Sequence, residues 1–133
     1  MQLFSKLTIA FFLIMLTGCH AFQNLSTDEV RQEKYFYKNV TFEKSIKEIQ
    51  SALYTYTSNC RPMVPFNVNP KNPKKAQMLF KLTGLTKTSI IGVLDFKEIK
   101  QDSTLLTSYS YYSTWESEID GVIDAIRSPK SCQ

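Results

Sequence analysis

Histidine is almost absent from this chain of 133 residues: the single one is His20, which lies ahead of the part expected to fold. A Ser-His or Cys-His nucleophile and a histidine-ligated metal site are therefore excluded from a domain formed by later residues. Glycine is scarce as well, with four in all, and the sequence has no Gly-rich phosphate loop, no G-x-S-x-G motif and no dinucleotide-binding fingerprint. These absences predict a protein that is not an enzyme and that has no cofactor and no metal.

An excess of charge of one sign is also lacking. The 16 Lys and Arg residues face 12 Asp and Glu residues, and a net charge of +4 is too small to indicate a nucleic-acid partner. Hydrophobic residues make up 43% of the chain and aromatic residues 13%, which is enough to form a core and excludes a disordered chain. The length allows a single domain and excludes a large multidomain enzyme.

Long apolar runs are missing apart from one, which extends from Leu7 to Leu16 and is interrupted only by Thr8. It follows the positive charge of Lys6, and it has the length of a signal-peptide core, too short for a stable bilayer span. The sequence Leu16-Thr17-Gly18-Cys19 comes directly after it. This tetrapeptide resembles the lipobox of bacterial lipoproteins, in which an apolar residue and two small residues precede an obligatory cysteine.

The resemblance implies that residues 1–18 are a lipoprotein signal peptide and that Cys19 carries fatty acyl chains such as palmitate, which anchor the mature protein to a membrane. His20 stands where aspartate would favour retention in the inner membrane. By the same resemblance, the protein is expected at the outer membrane with its domain in the periplasm; another bacterial membrane surface is the alternative. A plain secretory signal with a chance cysteine, or a cytosolic protein whose first helix is buried, are the other interpretations.

Two cysteines remain after Cys19, namely Cys60 and Cys132. Since an exported chain meets an oxidising compartment and two cysteines allow only one intramolecular pairing, we predict a disulfide between them. The competing interpretation, a reactive thiol, lacks a histidine that would activate it.

Residues 19–33 are expected to be the lipidated cysteine and a polar tether, with a helical turn starting at Ser26 or Thr27, and residues 34–133 a single domain. The segment from Tyr35 to Val40 is predicted to form a first strand or to be the segment that directly precedes a helix. That helix carries an apolar stripe formed by Phe42, Ile46, Ile49, Leu53 and Tyr56, with Thr41 as the expected N-cap.

The second half of the chain reads mainly as strands. Four prolines in residues 62–73 indicate an edge strand followed by a turn, whereas residues 74–82 fit a helix or a strand. Residues 89–99 and 104–113 predict an antiparallel hairpin, and a last helix begins near Ser113, with Glu116 completing a capping box. The fold predicted is α+β, with two helices packed on one face of a small antiparallel sheet and stapled by the disulfide.

Three groups of side chains are candidates for a site. Asp95 and Glu98 have opposite parity on a strand, so they are expected on opposite faces and, with Asp102, to be solvated charges. The basic cluster formed by Lys71, Lys74, Lys75 and Lys81 fits anionic headgroups, lipopolysaccharide or an acidic patch on a partner, but a solvated loop is the favoured interpretation. The tyrosines are expected mainly in a sheet face under the helices, with stacking on sugars or anchoring of a protein interface as the alternatives; they are Tyr35, Tyr37, Tyr109, Tyr111 and Tyr112.

Together these features predict a membrane-anchored lipoprotein of the bacterial envelope that is not an enzyme and acts through protein contacts, in an accessory or assembly role. Alternatives are an immunity-type lipoprotein that neutralises a periplasmic toxin, and a module that binds peptidoglycan or another glycan.

Overall fold

A computed structural model describes residues 24–132. These residues form a sheet of five antiparallel strands in the order β1-β5-β4-β3-β2. The strands are β1 (Phe36–Phe42), β2 (Asn67–Asn69), β3 (Asn72–Thr83), β4 (Thr88–Lys100) and β5 (Ser103–Ser110). Strands β2 to β5 follow one another as hairpins, and β1 closes the far side of the sheet against β5.

Three α-helices accompany the sheet within the described part of the chain: α1 (Thr27–Val30), α2 (Ile46–Asn59) and α3 (Glu116–Arg127). Short 3₁₀ turns lie at Glu33–Tyr35 and Ser113–Trp115. Helices α2 and α3 contact each other and pack their apolar stripes on one face of the sheet. The core there includes Ile49, Met78, Leu94, Leu106 and Ile126, all fully buried. The predicted α+β architecture with two helices on one sheet face is confirmed.

The predicted disulfide is present: Cys60 and Cys132 are bonded, with their Cα atoms 5.2 Å apart. Cys60 caps the C-terminal end of α2, and Cys132 follows the end of α3 by five residues. The bond therefore fixes the C-terminal tail to the helical layer.

Both long helices begin later than the sequence indicated. Thr41 and Phe42 belong to β1, and the N-cap of α2 is Ser45, whose side chain accepts a hydrogen bond from the N–H of Glu48 in a full capping box. At the last helix, Ser113 forms no capping box with Glu116, because residues 113–115 form a 3₁₀ turn. The apolar stripe alone could not locate the start of α2, since Phe42 of β1 continues the same spacing.

The ambiguous residues 74–82 are strand, within β3, and the proline-rich segment contributes only the three residues of β2. Residues 24–33, expected to be a tether, instead pack on the sheet. The helical turn expected at Ser26 does form there, as α1, and its Val30 is fully buried against the face opposite α2 and α3. The predicted signal peptide and Cys19 lie outside the described residues.

Candidate functional site: a basic groove on the open face of the sheet

The sheet face opposite α2 and α3, called the outer face here, is covered at one end by α1 and open beyond it. A groove of about 700 Å³ lies in the open part. Its floor is formed by outward side chains of β3, β4 and β5, and the β2–β3 turn forms a wall. The residues that line this outer-face groove include Arg31, Asn69, Pro70, Lys71, Lys75, Gln77, Asp95, Lys97, Leu105, Thr107 and Tyr109.

Arg31 closes the end of the groove beside α1. Its Nε and Nη2 atoms donate to the two carboxylate oxygens of Asp95 at 2.8 and 2.7 Å, and Nη2 also lies 3.3 Å from the amide oxygen of Gln77. The hydrogen bonds to Asp95 raise the pKa of the Arg31 guanidinium above its ordinary value. Because two-point pairing occupies both oxygens of Asp95, the carboxylate in the floor of the groove is already neutralised.

Three lysines follow along the groove. Lys75 on β3 lies directly opposite Lys97 on β4 in the antiparallel register. Lys71 lies on the β2–β3 turn, which is held by the Asn69 side chain as it accepts from the N–H groups of Lys71 and Asn72. All three ammonium groups are on exposed residues, and none has a carboxylate partner within residues 24–132.

The end of the outer-face groove near the start of β1 is aromatic. The ring of Tyr109 meets that of Phe36 edge to face, with centroids 6.2 Å apart. Tyr111 contacts both Tyr35 and Tyr112 at centroid distances of 4.8 Å, and the proximity of the Tyr35 phenol raises the pKa of Tyr111. Phe36 and Tyr112 are nearly half exposed, so rings remain accessible there.

The predicted placement of the tyrosines under the helices is therefore wrong for Tyr109, which points to the outer face. Tyr37 does not line the groove, and its hydroxyl donates to Asp120 of α3 at 2.9 Å. Lys38 donates to the other oxygen of Asp120 at 2.7 Å, in a smaller hollow of about 430 Å³ beside β1. All of these groups have partners, which indicates that Asp120 joins the last helix to the edge strand.

The carboxylates are separated as the strand parity predicted. Asp95 lies on the outer face with Arg31, whereas Glu98 accepts a hydrogen bond from the N–H of Ile46 on the helix side, at 3.3 Å. Asp102 lies in the β4–β5 turn with a φ of 52°. Across the described residues, no group of three His, Cys, Asp or Glu side chains is placed to hold a metal ion.

Of the four lysines in the basic cluster, Lys71 and Lys75 line the outer-face groove and Lys74 and Lys81 do not. Sequence reasoning missed Lys97 and Arg31. The position of Lys97 was open to prediction once β3 was read as a strand, because Lys75 and Lys97 then share a face of neighbouring strands. Arg31 gave no signal, since it lies in a polar segment 64 residues from Asp95.

No protein-family model matches the chain, and no curated protein matches it in a sequence comparison. Among residues 24–132, no helix is long and apolar enough to cross a membrane.

Proposed function

We propose that this chain is a lipid-anchored lipoprotein of the bacterial envelope that binds an acidic segment of a partner protein in the outer-face groove. The observation that carries the proposal is the pair of lysines, Lys75 and Lys97, which face each other across two strands without a carboxylate partner in the described chain. The groove serves binding, with no chemical step on the ligand.

Two like charges directly opposite each other in an antiparallel pair destabilise a sheet. Here Lys71 adds a third positive charge, and Asp95, the one carboxylate among the described residues that line the groove, is already bound by Arg31. An anionic occupant relieves this repulsion and gains charge-assisted hydrogen bonds. Complementary charge of this kind favours an acidic partner and suppresses basic ones.

The groove also offers apolar contact. Leu105 and Tyr109 are half-buried in its lining, and its volume of about 700 Å³ is within the range of binding pockets. A segment of a few residues that combines carboxylates with an apolar or aromatic side chain fits this lining. An accessory or assembly role in the envelope follows from a small domain that holds such a segment.

Membrane anchoring is supported by the lipobox, Leu16-Thr17-Gly18-Cys19, and by the apolar run before it. Acyl chains on Cys19 would hold the domain at the membrane surface, and His20 favours the periplasmic face of the outer membrane. The partner is then a protein of the periplasm or of the same membrane.

Site-specific photo-crosslinking in living cells tests the groove. The photoreactive residue p-benzoylphenylalanine replaces Thr107, on the groove floor, and in a control strain it replaces Tyr54, which is 73% exposed on α2. We expect a discrete product from position 107 and none of the same size from position 54. Mass spectrometry of that product identifies the partner and separates an envelope-assembly component from a toxin.

Charge reversal supplies the matched comparison. Lys75→Glu/Lys97→Glu should reduce the product at least about tenfold, because the site then repels an acidic segment. Lys47→Glu/Lys130→Glu makes the same change of charge at exposed lysines outside the groove and should leave the product intact. No product at position 107, or a product insensitive to the groove reversal, contradicts the proposal.

Glycan binding is the second candidate, because Tyr109 and the exposed Phe36 place two rings at one end of the groove. If the occupant is a glycan, the crosslinked product should collapse on digestion with a muramidase and persist on digestion with a protease that cleaves the partner. A protein occupant gives the reverse pattern.

A further inference from the structure

We propose that the β3–β4 hairpin tip, residues 83–88, contacts the bilayer surface and orients the domain, so that the outer-face groove opens sideways along the membrane. This inference rests on the lipid anchor of the proposed function and adds to it a protein–membrane contact at a defined loop. The occupant of the surface is a phospholipid bilayer that contains anionic headgroups.

The path of the N-terminal segment places this hairpin next to the expected anchor. The carbonyl of Leu25 accepts a hydrogen bond from the N–H of Ile90, near the start of β4, whereas Arg31 reaches Asp95 farther along the same strand. The segment therefore runs down the sheet from the hairpin end, and Asn24 lies at that end. Asn24 follows Cys19 by five positions, which limits the distance between their Cα atoms to about 17 Å.

The hairpin itself has the chemistry of a membrane-surface contact. Leu85 at its tip is fully exposed, at 107% relative accessibility, and is the most exposed large hydrophobic residue of the described chain. Lys81 and Lys87 flank the tip, and residues 81–88 contain no acidic side chain. An apolar tip inserted among headgroups, with ammonium groups at the level of the phosphates, is the arrangement expected of an interfacial contact.

The opposite end of the sheet differs in this respect. The β4–β5 turn, Lys100-Gln101-Asp102, carries a carboxylate at its tip, and the neighbouring apolar residue Ile99 is only 51% exposed. A single exposed leucine is common on soluble proteins. At the hairpin, however, the leucine coincides with two lysines that have no ion pair within residues 24–132, and the chain from there to Cys19 can span at most about 17 Å.

The test uses the full-length protein, extracted with detergent from the membranes of expressing cells and reconstituted into vesicles of phosphatidylethanolamine and phosphatidylglycerol. Leu85→Trp reports on the hairpin tip and Gln101→Trp on the opposite turn, and the native Trp115 emission of the unsubstituted protein is subtracted from both. Lipids brominated in the upper acyl chain quench only tryptophans that reach the bilayer. We expect at least twofold quenching of the added emission for Leu85→Trp and none for Gln101→Trp.

Adding Lys87→Glu to Leu85→Trp should weaken the quenching on these vesicles and leave it unchanged on neutral phosphatidylcholine, since only the anionic surface attracts Lys87. The intact mass of the protein in the same samples shows whether Cys19 is acylated. It therefore separates the proposed lipid anchor from the proposed membrane contact of the hairpin tip. If Cys19 carries acyl chains but Leu85→Trp is quenched no more than Gln101→Trp, this inference alone is overturned. If Cys19 carries none, the anchor fails and the membrane contact fails with it.

Discussion

Asp120 shows how a single carboxylate joins two elements that are far apart in the sequence. Its oxygens accept from Tyr37 and Lys38 of β1, and Lys38 also lies over the ring of Tyr37, 4.4 Å from the centroid. Burial opposes ionisation of Asp120, but the hydrogen bonds from Lys38 and Tyr37 outweigh it and hold the pKa below its ordinary value. Helical periodicity places Asp120 on the polar face of α3 but gives no sign of its partners in β1.

We expect Asp120→Asn to lower the free energy of unfolding at pH 7 by about 0.5 to 1 kcal/mol, a small effect because both charged side chains are more than one third exposed to screening solvent. A pKa depressed in the folded state gives stability that is complete above the unfolded-state value of about 3.9 and is lost as the pH falls through the folded-state value. Urea unfolding at pH 7 and in steps below pH 4 measures this, and the difference from the unsubstituted protein should narrow in acid.

Glu43→Gln, at an exposed residue without an ion pair in the described chain, is the control and should change stability by less than about 0.5 kcal/mol. A difference that stays constant down to pH 2 would contradict the assignment.

At the scale of elements, the hairpin of β3 and β4 depends on a bulge. Phe80 pairs with Gly92 while the next residue, Lys81, pairs with Ile90, so that Ile91 is the extra residue. A Cβ atom on Gly92 would lie 2.9 Å from Cδ2 of the buried Phe80 ring, closer than van der Waals contact permits.

Gly92→Ala should therefore destabilise the protein by about 1 to 3 kcal/mol, the usual cost of overpacking a core. Phe80→Leu in the same chain should recover part of this loss relative to Phe80→Leu alone, because it removes the ring atom that clashes. Denaturant unfolding of the unsubstituted protein, the two single variants and the double variant gives the coupling energy between positions 80 and 92. Gly84→Ala is the matched control: its Cβ would make only ordinary contact, 3.6 Å from the Lys87 carbonyl oxygen. Equal effects at the two glycines would contradict the packing argument.

The elements that could be predicted are those specified by local pattern. Both long helices, the β4–β5 hairpin and the opposite faces of Asp95 and Glu98 follow from periods of 3.6 and 2 residues. The start of α2 was placed too early because Phe42 continues the helical spacing although it belongs to β1, whereas the S-x-x-E spacing of Ser45 and Glu48, which the sequence also shows, marks the true boundary. The hydrogen bonds of that box lower the pKa of Glu48.

At the scale of the whole molecule, the disulfide was predictable by counting, whereas the outer-face groove was not. Once Cys19 is set aside as the expected lipidation site, the two remaining cysteines allow only one pairing, and that pairing is present. The groove combines three parts of the chain: Lys75 and Lys97 become neighbours when β3 and β4 pair, and Arg31 joins them only when the N-terminal segment packs on the sheet. No local period carries that information.

Removing the disulfide should affect stability more than binding. For a sequence separation of 72 residues, the chain-entropy model gives about 4 kcal/mol, and loss of a disulfide from a small secreted domain commonly lowers stability by about 2 to 5 kcal/mol. We expect Cys60→Ala/Cys132→Ala to lower the free energy of unfolding by this amount in urea. Reductant should then destabilise the unsubstituted protein and leave the double variant unaffected. Crosslinking from position 107 should persist in cells that still accumulate the folded variant, because neither cysteine lines the groove.

The central claim is the lipid anchor, since both the cellular location of the outer-face groove and the membrane contact of the hairpin depend on it. Intact mass spectrometry of the protein extracted with detergent from its native membranes measures this directly. We predict a chain that begins at Cys19 and carries the mass of two or three acyl chains, and Cys19→Ala should leave the precursor uncleaved or release the protein from the membrane. An unprocessed chain with Met1 intact, or a water-soluble product without acyl mass, would contradict the claim.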